Sequence, residues 1–158
     1  MAFMICFTGE PDEYLGDDPT IPFGVGRIVA GKLDENFVSN LYEWDKRDYE
    51  SQWLSSLEQI LNGDEKAVLL TWYVNPRESS NLEWWALYRG ETGIVHVQNH
   101  LPFYDNLDPQ FTVEHASISL RDRITVNEDG NTLSEWDVPI KEIELFVEQL
   151  KQKGVDSK

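Results

Sequence analysis

The side chains of this sequence with chemistry to offer are three histidines, one cysteine, 29 acids and a short arginine cluster. His96 and His100 stand four apart. On a helix that spacing would bring two imidazoles to one metal ion. The residues from Ile94 to Leu101 alternate like a strand, however, and four strand residues span roughly 13 Å, too far for one ion. His115 has no Cys or His near it in sequence. No metal centre is predicted. What the alternation does predict is a polar strand face of Ile94, His96, Gln98 and His100, opposite an apolar face of Val95, Val97 and Leu101. The simplest reading of the polar face is the solvent side of a sheet. The sharper reading is the floor of a catalytic or binding site.

Other reactive patterns are weaker. Cys6 lies in the apolar run Phe3 to Phe7 and reads as a small hydrophobe on a strand, with only acids nearby in sequence and no activating base. Gly24-Val25-Gly26 begins like a dinucleotide loop, but Val29 holds the third glycine position and the next glycine is Gly31. There is no Gly-x-Ser-x-Gly elbow, no His-Glu-x-x-His and no Walker loop. Carboxylates are so frequent that no single acid–base pair stands out. Arg121-Asp122-Arg123 reads as a partner for local acids or a stack on Trp136. Trp84 and Trp85 must point to opposite sides of a sheet. Either one fills the core and the other lies under a helix, or one is an exposed anchor for a partner. Nothing implies a cofactor or a catalytic residue.

Charge is more informative. Thirteen Lys+Arg against 29 Asp+Glu leave a net −16. Such a field repels nucleic acid and anionic lipid and draws in basic partners. The acids concentrate in Gly9 to Pro22, where Glu10, Asp12, Glu13, Asp17 and Asp18 alternate with Gly9, Gly16, Pro11, Pro19 and Pro22 in a turn-rich stretch. These five acids, with Asp34 and Glu35 in an expected turn, are the candidate partner contacts. A single cysteine allows no internal disulfide and fits a reducing compartment, the cytoplasm. There is no export signal in the N-terminal run, and no stretch approaches the roughly 20 apolar residues of a membrane span.

The elements that position these residues follow from periodicity. Gly26–Leu33 and Phe37–Trp44 read as strands joined by a turn at Asp34-Glu35-Asn36. A helix over about 45–62 begins at Asp45, carries Asp48 in its first turn and ends at Asn62-Gly63. Its apolar stripe is Tyr49, Trp53, Leu54, Leu57, Ile60 and Leu61. Ala67–Val74 is apolar on both faces and should be central. Leu82–Tyr88, Ile94–Leu101 and His115–Leu120 read as further strands. Asp129-Gly130 signals a hairpin that sets Val126 opposite Leu133 and Arg123 opposite Trp136. A second helix spans about 140–153, with Pro139 at its start and Gly154 past its end. The expected fold is an α+β domain with a mainly antiparallel β-sheet and two covering helices.

Three stretches, in order, carry a family likeness. Tyr42-Glu43-Trp44 leads into Asp48-Tyr49-Glu50-Ser51-Gln52-Trp53. Glu83-Trp84-Trp85-Ala86-Leu87-Tyr88 leads into Val95-His96-Val97-Gln98-Asn99-His100-Leu101. Asn127-Glu128-Asp129-Gly130 leads into Ser134-Glu135-Trp136. On these the chain resembles the immunity proteins of bacterial contact-dependent growth inhibition systems. The resemblance implies one immunity-protein domain over residues 1–158 that works in the cytoplasm and has no catalytic residues. It would bind, tightly and one to one, the C-terminal toxin domain of a large surface effector made by neighbouring cells. Nuclease toxins need basic clefts to hold phosphates, and a surface at −16 complements them. Two other readings stand beside this one: an acidic adaptor or nucleic-acid mimic, and an enzyme with a carboxylate or histidine site on the Ile94–His100 face.

Overall fold

Asp45 shows how locally the long helix is specified. Its side chain accepts from the Asp48 backbone N–H at 2.8 Å while the Asp48 carboxylate accepts from the Asp45 N–H at 3.0 Å, a reciprocal cap that starts α1 (Lys46–Leu61). The computed structural model describes residues 2–8, 13–14, 22–74 and 80–156. Around α1 lie β1 (Phe3–Phe7), β2 (Glu13–Tyr14), β3 (Pro22–Ala30), β4 (Leu33–Asn40), β5 (Lys66–Trp72), β6 (Glu83–Arg89), β7 (Ile94–His100), β8 (Trp136–Pro139) and α2 (Ile140–Gln152).

The fold class is the expected one, α+β with antiparallel pairing and two helices, but the strands divide into two sheets. In the first, β3 pairs with β1, β2 and β4; in the second the order is β5-β6-β7-β8. The sheets meet where the Ser39 hydroxyl of β4 donates to the Thr71 carbonyl of β5 at 2.5 Å. One apolar cluster unites them with both helices, from Phe3, Ile5 and Ile28 through Trp53 and Leu57 to Leu87, Val97 and Ile143. Cys6 lies on β1, half-buried, and burial pushes its thiol pKa up, so it stays protonated and inert. Phe7, Phe37, Tyr49 and Trp53 interlock with ring centroids 5.2 to 6.4 Å apart, contacts each worth about 0.5–1.5 kcal/mol beyond their burial. Gly26, opposite Phe37 in the ladder, makes room for that cluster: a Cβ there would sit 2.2 Å from the Phe37 ring.

Helix α1 does more than cover a sheet. Strand β5 has β6 on one side only, so alternate backbone groups face away from the ladder. Side chains of α1 satisfy them. The Gln52 amide donates to the Val68 carbonyl and accepts from the Leu70 N–H, both at 2.9 Å; the Trp53 indole donates to the Leu70 carbonyl at 2.6 Å; and the Tyr49 hydroxyl accepts from the Tyr73 N–H at 3.1 Å. A buried helix thus substitutes for a neighbouring strand and closes the edge. The double-sided burial expected of this strand is present, from Ala67 to Thr71.

Three local expectations are corrected. The turn between β3 and β4 is at Gly31-Lys32, not Asp34-Glu35-Asn36: Gly31 takes φ +62°, a conformation glycine adopts without strain, and Ala30 pairs with Leu33. Strand β4 therefore ends at Asn40, and Leu41 to Trp44 lead into the helix. Residues Val113–Ser119 form 3-10 turns rather than a strand, opened by Thr112, whose hydroxyl accepts from the His115 N–H at 3.2 Å. Asp129-Gly130 does make a turn, with Gly130 at φ +80°. Its arms hold one isolated bridge, Val126 to Thr132, and Trp136 pairs with Val97 in β8 instead of facing Arg123. Asn127 to Gly130 make the bend, but Ile124 and Val126 on the arm before it are 39% and 49% exposed, so little packing extends the ladder.

Candidate partner-binding surface

Of the seven acids singled out in the sequence, Glu10, Asp12, Asp17 and Asp18 lie outside the described residues. Glu13 is the first residue of β2, where it pairs with Phe23. Asp34 and Glu35 are exposed on β4, in a strand rather than a turn. Their side chains point to opposite faces. Asp34 is held by Arg27, which donates from Nε at 2.8 Å and from Nη2 at 2.7 Å, and this fork keeps the Asp34 carboxyl below its usual range. Glu35 shares the strand face of buried Leu33 and Phe37, yet is itself exposed, because it overlooks the open end of the second sheet. Of this pair, Asp34 is ion-paired and Glu35 has no ion-pair partner among the described residues.

The polar face of β7 is not a solvent side. Gln98 is 1% exposed. The segment from Arg121 to Asp137 lies over it and is tied down through side chains. Gln98 donates to the Ile124 carbonyl at 2.9 Å and to Glu135 Oε2 at 2.7 Å, while Arg123 donates to Glu135 from Nε at 2.8 Å and from Nη2 at 2.5 Å. Arg123's hydrogen bond lowers the Glu135 pKa. His100 completes the chain. Its Nδ1 accepts from the Trp84 indole at 3.3 Å, so its Nε2 carries the proton given to Gln98 Oε1 at 3.0 Å. Burial pulls the His100 pKa down to about 4, which keeps the ring neutral. Each group here is spent on another group of the protein, so the face acts as a clasp on the overlying segment.

His96, at the outer end of that face, has Nδ1 2.6 Å from Asp137 Oδ1 and 3.6 Å from Glu135 Oε1. One ligand atom from each of these three residues lies within 4.8 Å of the others, the spacing of a metal centre. Sequence spacing missed this group because Glu135 and Asp137 come from β8 and its approach, about forty residues away. As ligands they are compromised, since the Arg123 fork already occupies both Glu135 oxygens. The cluster reads as a side-chain junction of β7 and β8, with His96 2.6 Å from Asp137 and Glu135 held by Arg123. Trp84 and Trp85 are each 2% exposed, which overturns the reading of one as an exposed anchor; Trp85 packs its ring 6.0 Å from that of Trp136. The arginine cluster follows its local reading: Arg123 pairs with Glu135, and Asp122 with Lys66 at 3.1 Å.

Comparison with known proteins places this fold with its edge-sealing helix and clasped sheet. The family model described as the CdiI N-terminal domain matches residues 39–146. This chain belongs to the CdiI N-terminal domain family. The matched stretch runs from the end of β4 through α1, the whole second sheet and into α2, and so contains both the edge seal and the clasp. The chain is 28% identical to the immunity protein CdiI of Enterobacter cloacae subsp. cloacae over 123 residues, 78% of this chain and 83% of that protein. A chain of the solved CdiA-CT/CdiI toxin and immunity complex from Enterobacter cloacae matches with TM-score 0.82 at 27% identity, covering 95% of this chain and 99% of that one. The likeness carried by the Trp84-Trp85 and Asp48–Trp53 stretches is thereby confirmed as membership of a CdiI family. No helix of the described residues is long and apolar enough to cross a membrane.

Proposed function

We propose that this protein is an immunity protein that binds the C-terminal toxin domain of a contact-dependent growth inhibition effector and neutralises it. The observation that carries this reading is the end-to-end likeness to a chain of a toxin and immunity complex, including the first sheet that lies before the family match. The protein acts as one domain over residues 1–158, in the cytoplasm, by occupation of the toxin rather than by catalysis. The shared core of both sheets and both helices supports the single unit. The net −16 supports a cationic partner, a nuclease whose cleft must hold phosphates. The acids Glu10, Asp12, Glu13, Asp17, Asp18, Asp34 and Glu35 remain the proposed contacts, with Glu35 the best placed of those described.

The test is expression of the cognate effector's toxin domain in cells with and without this protein. Rescue of growth, together with a one-to-one complex that survives gel filtration, is the expected result. Unrescued growth with the protein present at equal or greater abundance than the toxin would refute the function. Loss of RNA or DNA integrity in the unprotected cells, absent in the protected ones, is the expected sign of a nuclease partner; killing with intact nucleic acid would refute that part alone.

A further inference from the structure

Where β4 meets the open ends of β6 and β7, the two sheets part and leave a cleft of about 500 Å³. Glu35 stands on one bank and Glu83, the first residue of β6, on the other. Trp72 and Trp85 line the cleft between them, and Val38 and Leu101 form its apolar lip. Those two lip residues are 39% and 57% exposed. Among the described residues no lysine or arginine lines this cleft; Arg121 stands in the adjoining depression, which Glu35 and Trp85 also border.

The charges of the cleft are unbalanced in a telling way. Glu83 is half-buried and its carboxylate accepts from the Thr71 hydroxyl at 2.7 Å. Burial raises its pKa, and the charge of Glu35 pushes it further the same way. Two carboxylates are thus set against each other in a partly desolvated place, with no cation of the described residues between them. A second, independent defect lies on Trp85, a residue that lines the same cleft. Trp85 Nε1 is the one buried side-chain polar atom without a hydrogen-bond partner among the described residues. A buried donor left unpaired is costly, and each such atom in a native protein calls for an acceptor.

We infer that this cleft seats a lysine or arginine side chain of the partner polypeptide. The cation lies between Glu35 and Glu83, against the indole of Trp72 or Trp85. Trp85 Nε1 is closed off in the free protein, so seating the segment turns this indole far enough for one of the segment's backbone carbonyls to accept from it. Apolar residues flanking that cation cover Val38 and Leu101. An aromatic-floored pocket with buried charge and an apolar rim is the make-up of an interface hot spot. The inference rests on the proposed function for the identity of the partner, and it adds the place and chemistry of the grip.

The experiment measures binding of the cognate toxin domain, inactivated by mutation, to wild type and to E35Q, E83Q, the double variant and L101A. A charge-matched control, E144Q with E148Q, removes two exposed acids of α2. Dissociation is expected to quicken at least tenfold for E83Q, more for the double variant and several-fold for L101A. The α2 control should leave dissociation unchanged and slow association slightly. In the ¹⁵N spectrum of the complex, the Trp85 indole N–H resonance is expected to move downfield. If the double variant and L101A dissociate like the control, the cleft is not the seat and the inference falls. Absence of binding by wild type would instead sink the proposed function. E83Q retains an acceptor for Thr71, and L101A alters an exposed side chain, so both are expected to melt with wild type. Should E83Q unfold, L101A and the Trp85 resonance decide the matter.

Discussion

Replacing Gln52 by leucine removes the amide that stands in for a strand beside β5 while keeping most of its volume. Gln52 is 6% exposed, so water cannot take over its bonds without entering the core. The substitution orphans the Leu70 N–H and the Val68 carbonyl. Each buried orphan costs about 1–3 kcal/mol. Against this, leucine buries more apolar surface and no longer hides an amide, a return of about 1–2 kcal/mol. The net loss is about 2–3 kcal/mol, a large share of the roughly 5–15 kcal/mol that holds a domain together. At this chain length that lowers Tm by about 5–10 °C. Urea unfolding measures the loss, and an unchanged m-value shows that the same surface is exposed. Hydrogen exchange locates it: the Leu70 amide should lose protection while the Leu87 and Val97 amides follow only the global change. A variant within 0.5 kcal/mol of wild type, with Leu70 still protected, would refute the view that α1 closes this edge.

Gly26→Ala should destabilise the first sheet by about 1–3 kcal/mol, since the new methyl drives Phe37 from its packing on Phe7 and Trp53; thermal melting checks it, and an unchanged Tm would count against the close fit. His100 is neutral when folded, its pKa pulled down by burial to about 4 from an ordinary 6.5. The unfolded chain therefore takes up a proton first, so stability is complete above about pH 6.5 and is lost as pH falls toward 4. Urea midpoints should drop from pH 7 to pH 5, and His100→Gln should flatten that drop; an NMR titration showing the His100 ring protonated at pH 6 would overturn it. Glu135, held below its usual range by Arg123, adds a further loss only below about pH 4.5, where the unfolded carboxyl protonates. Finally, association with the toxin domain should slow by about tenfold between 10 and 150 mM salt, as the screening length shrinks from about 30 to 8 Å. A rate flat across that range would remove electrostatic steering from the account.

What the sequence determined by itself is what short-range rules control. Asp45 and Asp48 mark the start of α1 and Pro139 and Gly154 bracket α2, because caps and breakers act over a few residues of chain. The alternation around Val95 and Val97 shows a strand and its two faces, and the acid surplus is the ground for proposing a basic partner. The family likeness is legible in the order of the tryptophan-bearing stretches. Only the tertiary structure decided what each polar residue is for. Gln52 looks like a solvated helix position, and its burial follows from an unpaired strand edge that no local pattern announces. The face with His96, Gln98 and His100 looks open until Arg123 and Glu135 arrive over it from another part of the chain. Glu35 and Glu83, 48 residues apart, border one cleft only because β4 and β6 belong to different sheets that part at one end. Burial and charge pairing are properties of neighbours in space, and residues distant in sequence become such neighbours only when the sheets close on a common core.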